Sequence, residues 1–548
     1  MRQRIFLLLI LLIVHLSFCP FVPFSKQTHY TKAVPRLSPP PVSFRPAPTL
    51  LRCAAEKTLK RLPDKMQKTL PWHCLCRLLP SWVVVAHRAG HKETKAGVFP
   101  GLNFFSHELF NDMPYFPIFA EIFVTMEKSD CLYTSYLNIL KEELVPAMGC
   151  TEPICLAYAA AKAREVLGTM PKRVKIEASG NIIKNVKSVI VPNTGGMKGL
   201  KASVAAGIVA GNADQALEVI ANVTEAQIED IKCFLDNVLM TIEPLNLVAR
   251  LDVAVNLYDG EHSSRVRIAG FHTNIVRIEK DDKVLFDSEY SDNPNAKLTD
   301  RSCLSMDKIY DFAKTADIED LKPLIGRQLE CNRAIAMEGL KNSWGANIGS
   351  NLLKMSDDIH QKARAWAAAG SDARMSGCSM PVIINSGSGN QGMTTCLPVL
   401  AYAEHYGLSE EATMRAVTFA NLTTIHEKTG IGRLSAYCGA VSAGCAAGCG
   451  VAFLMGADLN IISHTLENAL GMAAGIVCDG AKPSCAGKIA LAVEAGLLGY
   501  EMAKSDDDFV GGDGIIGDDV ESTIDHIGRL GRNGMKETDV EILKIMVE

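Results

Sequence analysis

The chain has 548 residues, room for two or more domains. Apolar residues make up 48% and charged residues 21%, the balance of an ordinary globular enzyme rather than a disordered chain. A net charge of −5 gives no basis for binding a phosphate backbone, so nucleic acid is not expected as a partner.

That average covers two unlike stretches. Residues 1–125 carry 16 Lys and Arg against 6 Asp and Glu, a balance of +10, while the remainder stands at −15. Of the 24 prolines, 14 fall in the first stretch, which reads as largely unstructured. A break this sharp marks a boundary. Met1-Arg2-Gln3-Arg4 and the apolar residues 5–16 have the first two parts of an export signal, but Ser17-Phe18-Cys19-Pro20 lacks the small-residue cleavage pattern. The apolar run is also short of the ~20 residues a membrane span needs, so no membrane partner is expected. Three readings stand: an export signal, an organelle leader, or upstream sequence read through before a start at Met126. The last is favoured, because Met126-Glu127-Lys128 opens directly into an amphipathic segment at residues 133–145.

From there the pattern is α+β. Val174 to Ala178 alternates like a strand and ends at Ser179-Gly180-Asn181. Residues 200–242 show helical spacing, with Asn212-Ala213-Asp214 as the start signal of a second helix. Residues 250–287 change to period two, with turns at Asp259-Gly260 and Asp281-Asp282, which predicts an antiparallel meander of three or four strands. Residues 288–302 read as a polar linker. Beyond it strand signals nearly vanish. Residues 327–369 are helical with expected breaks at Gly339 and Gly349; Ser409 and Asp458 are helix caps; residues 436–457 are small enough for helices in backbone contact. The expected architecture is an α/β domain with a small antiparallel sheet (126–300), then a mainly α-helical domain (301–548).

Seventeen cysteines in a chain this long argue for reduced thiols in the cytoplasm, not for a disulfide scaffold. Cys150 lies in Met148-Gly149-Cys150-Thr151-Glu152-Pro153. Far along the chain stand Tyr437-Cys438-Gly439 and Cys478-Asp479-Gly480-Ala481-Lys482-Pro483-Ser484-Cys485. Both clusters sit beside turn residues, where a thiolate can reach a ligand. Iron–sulfur clusters are held by cysteine thiolates, usually four; three would leave one iron open. Cys150 and Cys478 lie where a helix begins or ends, and a helix N-terminus lowers a thiol's pKa. Without a compact CxxC run, spacing alone is a weak signal. For Cys155, Cys233, Cys303, Cys331, Cys378 and Cys396 the expectation is the ordinary one, a small buried hydrophobe.

Glycine-rich loops at residues 193–199 and 386–392 could present N–H groups to a substrate carboxylate. Asn193, Thr194, Gly195 and Lys198 from the first, Ser386, Ser388 and Asn390 from the second, and Thr151 are the candidate substrate-binding residues; tight turns are the plainer alternative. Lys428 is the first candidate base and His426 the second, unless both belong to a solvated helix end. Asp506-Asp507-Asp508 and Asp518-Asp519 read as acidic surface loops.

Gly149-Cys150-Thr151-Glu152-Pro153, residues 191–199, residues 386–392, residues 432–439 and residues 476–483 carry a resemblance that runs in order through residues 126–548. In these segments the chain resembles the serine dehydratase alpha-chain-like superfamily, nearest the branch of L-cysteine desulfidases and their uncharacterised relatives. Residues 1–125 have no counterpart in that family. The resemblance implies a [4Fe-4S] cluster on Cys150, Cys438 and Cys478, with Cys445 and Cys485 as alternate ligands, and no pyridoxal phosphate. It implies a lyase that removes the β-substituent of a small amino acid. L-Cysteine, giving pyruvate, ammonia and sulfide, is the first substrate and L-serine the second. The alternative is a cluster-binding or sensor protein of the same fold. The Gly/Ala-rich helices suit a homodimer or a packed monomer core.

Overall fold

In the computed structural model, which describes residues 126–245, 251–288 and 298–547, Asp130 starts α1 (Cys131–Glu143) by accepting the Leu132 amide. The start choice at Met126 and most of the predicted linker lie outside the described residues. Strand β1 (Pro146–Met148) leads to Gly149, then α2 (Thr151–Leu167) and β2 (Arg173–Ala178) follow. Short α3 (Gly180–Val186) and α4 (Gly199–Ala210) come next. Asn212 caps a 3-10 turn at Ala213–Glu218, not the second helix. That helix, α5 (Glu225–Asn237), starts from a capping box between Thr224 and Gln227.

The sheet has six strands in the order β3-β2-β4-β5-β6-β7, from β3 (Leu239–Pro244), β4 (Asp252–Asp259), β5 (His262–Ala269), β6 (Ile275–Lys280) and β7 (Lys283–Asp287). The predicted meander is β4 to β7, antiparallel throughout. Its partner β2 runs antiparallel to β4 and parallel to β3. Helix α2 packs on β4 and β5, and α4 lies on α2 so closely that a Cβ on Gly207 would stand 2.1 Å from the Ala157 carbonyl oxygen.

The second half is helical: α6 (Met306–Thr315), α7 (Ile318–Lys341), α8 (Ile348–Met355), α9 (Ile359–Met375), α10 (Gly389–Tyr406), α11 (Glu410–Ile431), α12 (Gly439–Leu454), α13 (Leu459–Ala473), α14 (Ser484–Lys504), α15 (Val520–Arg529) and α16 (Lys536–Val547). Its one strand among the described residues, β8 (Pro381–Ile383), pairs antiparallel with β1 and so ties the halves together. Ser409 and Asp458 cap α11 and α13 as expected. Gly339 and Gly349 do not break helices; they lie inside α7 and α8, where a Cβ would strike the backbone or side chain of Ala369 on α9. Helix α12 is the centre of this half. It packs against α10, α11, α13 and α14, and everything from Ala440 to Ala452 is buried.

Candidate active site

Cys150 is the N-cap of α2, reached through Gly149 at φ +62, where a Cβ would sit 2.1 Å from the Pro192 ring. The turn therefore requires glycine. The Cys150 thiol donates to Glu152 Oε2 (3.0 Å), Thr151 Oγ1 donates to the same oxygen (3.1 Å), and Asn185 Nδ2 donates to Glu152 Oε1 (2.9 Å). Burial, with Glu152 adding, pushes the Cys150 thiol well up, opposite to the expected lowering by the helix terminus.

Cys438 is the N-cap of α12. An antiparallel bridge between Tyr437 and Val477 clasps it to the second segment, with Cys438 N–H on the Ile476 oxygen (3.2 Å) and Cys478 N–H on the Ala436 oxygen (2.7 Å). The neighbouring Cys438 thiol, against burial and with help from Lys184, draws Cys478 down to about 6, and the Cys438 thiol rises in turn. Cys485, in the first turn of α14, donates to the Gly480 oxygen (3.6 Å) and feels the charge of Cys478. It also packs against the small apolar cluster of Cys150, Val189 and Met375.

Cys438, Cys478 and Cys485 thus lie near one another, and Cys485 packs on the small cluster that holds Cys150. Cys445 does not join them. It is buried inside α12 near Glu427 and Cys449. Of the cysteines expected to be plain hydrophobes, Cys155, Cys378 and Cys396 are buried, Cys303 and Cys331 half-buried, and Cys233 exposed. Among the described residues, no three His, Cys, Asp or Glu side chains crowd together as ligands of a single metal ion.

Cations surround the cysteines. Arg374 is buried, its charge felt at Cys150, Glu152 and Cys485, and among the described residues it has no carboxylate within ion-pair distance. One nitrogen donates to Asn390 Oδ1 (3.0 Å), while Nε has no partner there. Lys184, also buried, pairs with Asp539 and lies 3.5 Å from the Cys478 oxygen.

The second glycine loop lies beside this group. Ser386 adopts φ +49, and its hydroxyl donates to Asn385, which donates to Asn421, itself bonded to Gln328, in a buried amide network. Thr151 Oγ1 shares its one proton between Glu152 Oε2 and the Gly387 oxygen (3.0 Å), linking the loop to Cys150. Ser388 begins α10 without a side-chain cap bond. On the other side Ser386 and Lys428 line a small cavity of about 30 Å3 with Glu143, Arg301, Ile425, Thr429, Gly432 and Arg433. Burial pushes Lys428 down to about 8, although Cys438 and Cys478 pull it up and Arg433 pushes it down further. His426 turns away to Glu521 Oε2 (2.7 Å) on α15.

The first glycine loop goes elsewhere. Asn193, Thr194 and Gly195 line a separate cavity of about 520 Å3 with Trp344, Ser376 and Cys378. Thr194 donates to the Val191 oxygen and Asn193 to the oxygens of Ile220 and Ala221, so both side chains hold the turn. Lys198 is exposed.

A family model for the serine dehydratase alpha chain matches residues 214–544. A UPF0597 protein of Desulfitobacterium hafniense (strain Y51) is 54% identical over 423 residues, 77% of this chain and 98% of the relative. The chain belongs to the serine dehydratase alpha-chain family. UPF0597 proteins of Lachnoclostridium phytofermentans and Finegoldia magna are 48% and 47% identical, covering 100% and 99% of their own lengths. The stretch matched by the serine dehydratase model holds Arg374, Ser386, Lys428, Cys438, Cys478 and Cys485, whereas Cys150 and its partners precede it.

Sequence reading missed Arg374, Glu152, His272 and Glu143. His272 is buried and pushed down to about 4 by burial, with Arg433 and Arg374 adding and Glu152 opposing; its Nε2 is 4.0 Å from Glu152 Oε1. Only Glu152, inside Gly-Cys-Thr-Glu-Pro, carried a local signal. The others meet their partners across long sequence separations.

Proposed function

We propose that this member of the serine dehydratase alpha-chain family eliminates the β-substituent of a small α-amino acid, L-cysteine first and L-serine second. Lys428 carries the reading: a buried lysine with its pKa near 8, beside Cys438 and Cys478 and sharing a cavity with Ser386. Cys150, Cys438 and Cys478 would hold a [4Fe-4S] cluster, with Cys485 the fourth sulfur at hand. Ligands of one ion crowd within about 2.3 Å of it, but each thiolate of a cluster holds its own iron, so a wider spread of sulfurs suits a cluster. The buried, unpaired charge of Arg374 supports this donor set, because a buried cation calls for a nearby anion and thiolates supply one. Such a cluster, when bound, supplies a Lewis-acidic iron for the departing β-sulfur or β-oxygen.

The chain's own residues do the rest. Ser386 and the N–H groups of its loop orient the substrate carboxylate. Neutral Lys428 Nζ takes the α-proton as the Cβ–S bond breaks, and sulfide leaves. The product, 2-aminoacrylate, tautomerises to an imine, and water hydrolyses it to pyruvate and ammonia. Cysteine and water thus balance against pyruvate, ammonia and hydrogen sulfide, and no pyridoxal phosphate is required.

Lys428→Ala should lower kcat for sulfide and pyruvate release about 10²–10⁴-fold with iron content unchanged. Full activity in that variant would remove Lys428 from the mechanism. Iron binding without turnover of either amino acid in the wild type would replace the lyase reading with a cluster-binding protein.

A further inference from the structure

The small cavity beside Lys428 has a feature that the elimination chemistry leaves unused. Glu143, at the end of α1, is buried, and one oxygen of its carboxylate carries two arginines: Arg433 donates to Oε1 at 2.6 Å and Arg301 donates to the same atom at 3.0 Å. Arg301 is also paired with Glu142 (2.5 Å). The other oxygen, Oε2, is buried and has no hydrogen-bond partner among the described residues. A buried carboxylate oxygen left without a donor is costly, so such an atom calls for a partner. Glu143 lines the cavity of about 30 Å3, together with Ser386, Lys428 and Arg433. That volume holds one group the size of a water or an ammonium.

The geometry points to Glu143 Oε2 as the acceptor for the substrate's α-ammonium group. This assignment rests on the amino-acid lyase reading and names the group that reads the amino end. An ammonium brings three donors and a full charge, so it forms the stronger, charge-assisted bond. The two arginines fix the carboxylate in place, since both hold Oε1 and leave Oε2 without a donor. Arg433 also reaches toward the other end of the ligand: its terminal nitrogen lies 3.4 Å from where a Cβ on Gly387 would be, against the loop that orients the substrate carboxylate. An ammonium at Glu143 and a carboxylate between Arg433 and the Ser386 loop would leave the α-carbon near Lys428. The site then selects α-amino acids over the corresponding acids without the amino group. Leaving the amino group out strands Oε2 again, the kind of loss that polar sites use to reject an analogue.

The test uses the full chain and two ligands with no β-leaving group, L-alanine and propionate. L-Alanine should raise the melting temperature and compete with L-cysteine, while propionate at the same concentration does neither. In Glu143→Gln, which keeps an acceptor for the arginines but loses the charge, the L-alanine affinity should fall at least tenfold. KM for L-cysteine should rise with it, and kcat should change less. Equal binding of L-alanine and propionate would overturn the assignment, as would an unchanged L-alanine affinity in Glu143→Gln. A water molecule alone satisfying Oε2 would show as that unchanged affinity. Should Glu143→Gln fail to fold, Glu143→Asp keeps the charge and withdraws the oxygen, and the same loss at a smaller size, about threefold, is expected; none would overturn the assignment. If the wild type binds L-alanine selectively but releases no sulfide or pyruvate, the lyase reading fails and the ammonium site stands.

Discussion

Lys428 and His426 stand two positions apart on α11, and their surroundings separate them. His426 spends its Nε2 on Glu521, while Lys428 is buried against Cys438, Cys478 and Arg433. A lysine acts as a base only when neutral, and burial has moved that change to about pH 8. kcat/KM should therefore climb about tenfold per pH unit below 8 and level off above it; a profile flat from pH 6 to 9 would assign the proton transfer to another group. Neither the site's strongest pair nor its anchor was legible from sequence. Cys438 and Cys478 were visible as residues, but their closeness depends on the bridge between Tyr437 and Val477. Glu143 gave no signal at all, because its meaning comes from Arg301 and Arg433.

Elements explain how the cysteines keep their separation. Cys438 caps α12 and Cys485 lies in the first turn of α14, and the two helices touch through glycines. A Cβ on Gly448 would lie 2.3 Å from the Gly496 oxygen, and one on Gly444 would lie 2.5 Å from the Ala492 carbonyl carbon. Gly448→Val should destabilise the fold by about 1–3 kcal/mol and lower iron loading with it. An unchanged melting temperature would contradict backbone contact there. Asp372, on α9, accepts the Gly349 amide and so caps α8. Burial raises its pKa from 3.8 to about 6 despite three amide donors. The folded state thus holds a proton that the unfolded chain has already released, and this contribution is full below about pH 4 and lost as pH rises to about 6. Relative to wild type, Asp372→Asn should gain on the order of 1 kcal/mol across that window, read from melting temperatures at pH 4 and 6.5. Helix caps and the β4–β7 meander were legible because their signals are local. Strand β3 was absorbed into a predicted helix because only Met240 of its six residues is buried, leaving no period to read. Gly339 and Gly349 read as breaks because their role is close approach to α9, a tertiary fact.

At the scale of the whole molecule, strand β8 pairing with β1 joins the first half to the second, and Thr151 bonding to Gly387 brings the Cys150 turn to the second glycine loop. No helix of the described residues is long and apolar enough to cross a membrane, and the cysteines among them are all free. A reduced compartment is the setting that the proposed cluster needs. The decisive measurement is made on protein purified without oxygen, as the full chain and as a chain begun at Met126. Iron and acid-labile sulfide are quantified, then sulfide and pyruvate are assayed together with L-cysteine and with L-serine. The account predicts about four irons per chain in both forms and pyruvate formed in step with sulfide from L-cysteine. A colourless, iron-free protein that turns over neither amino acid would contradict it.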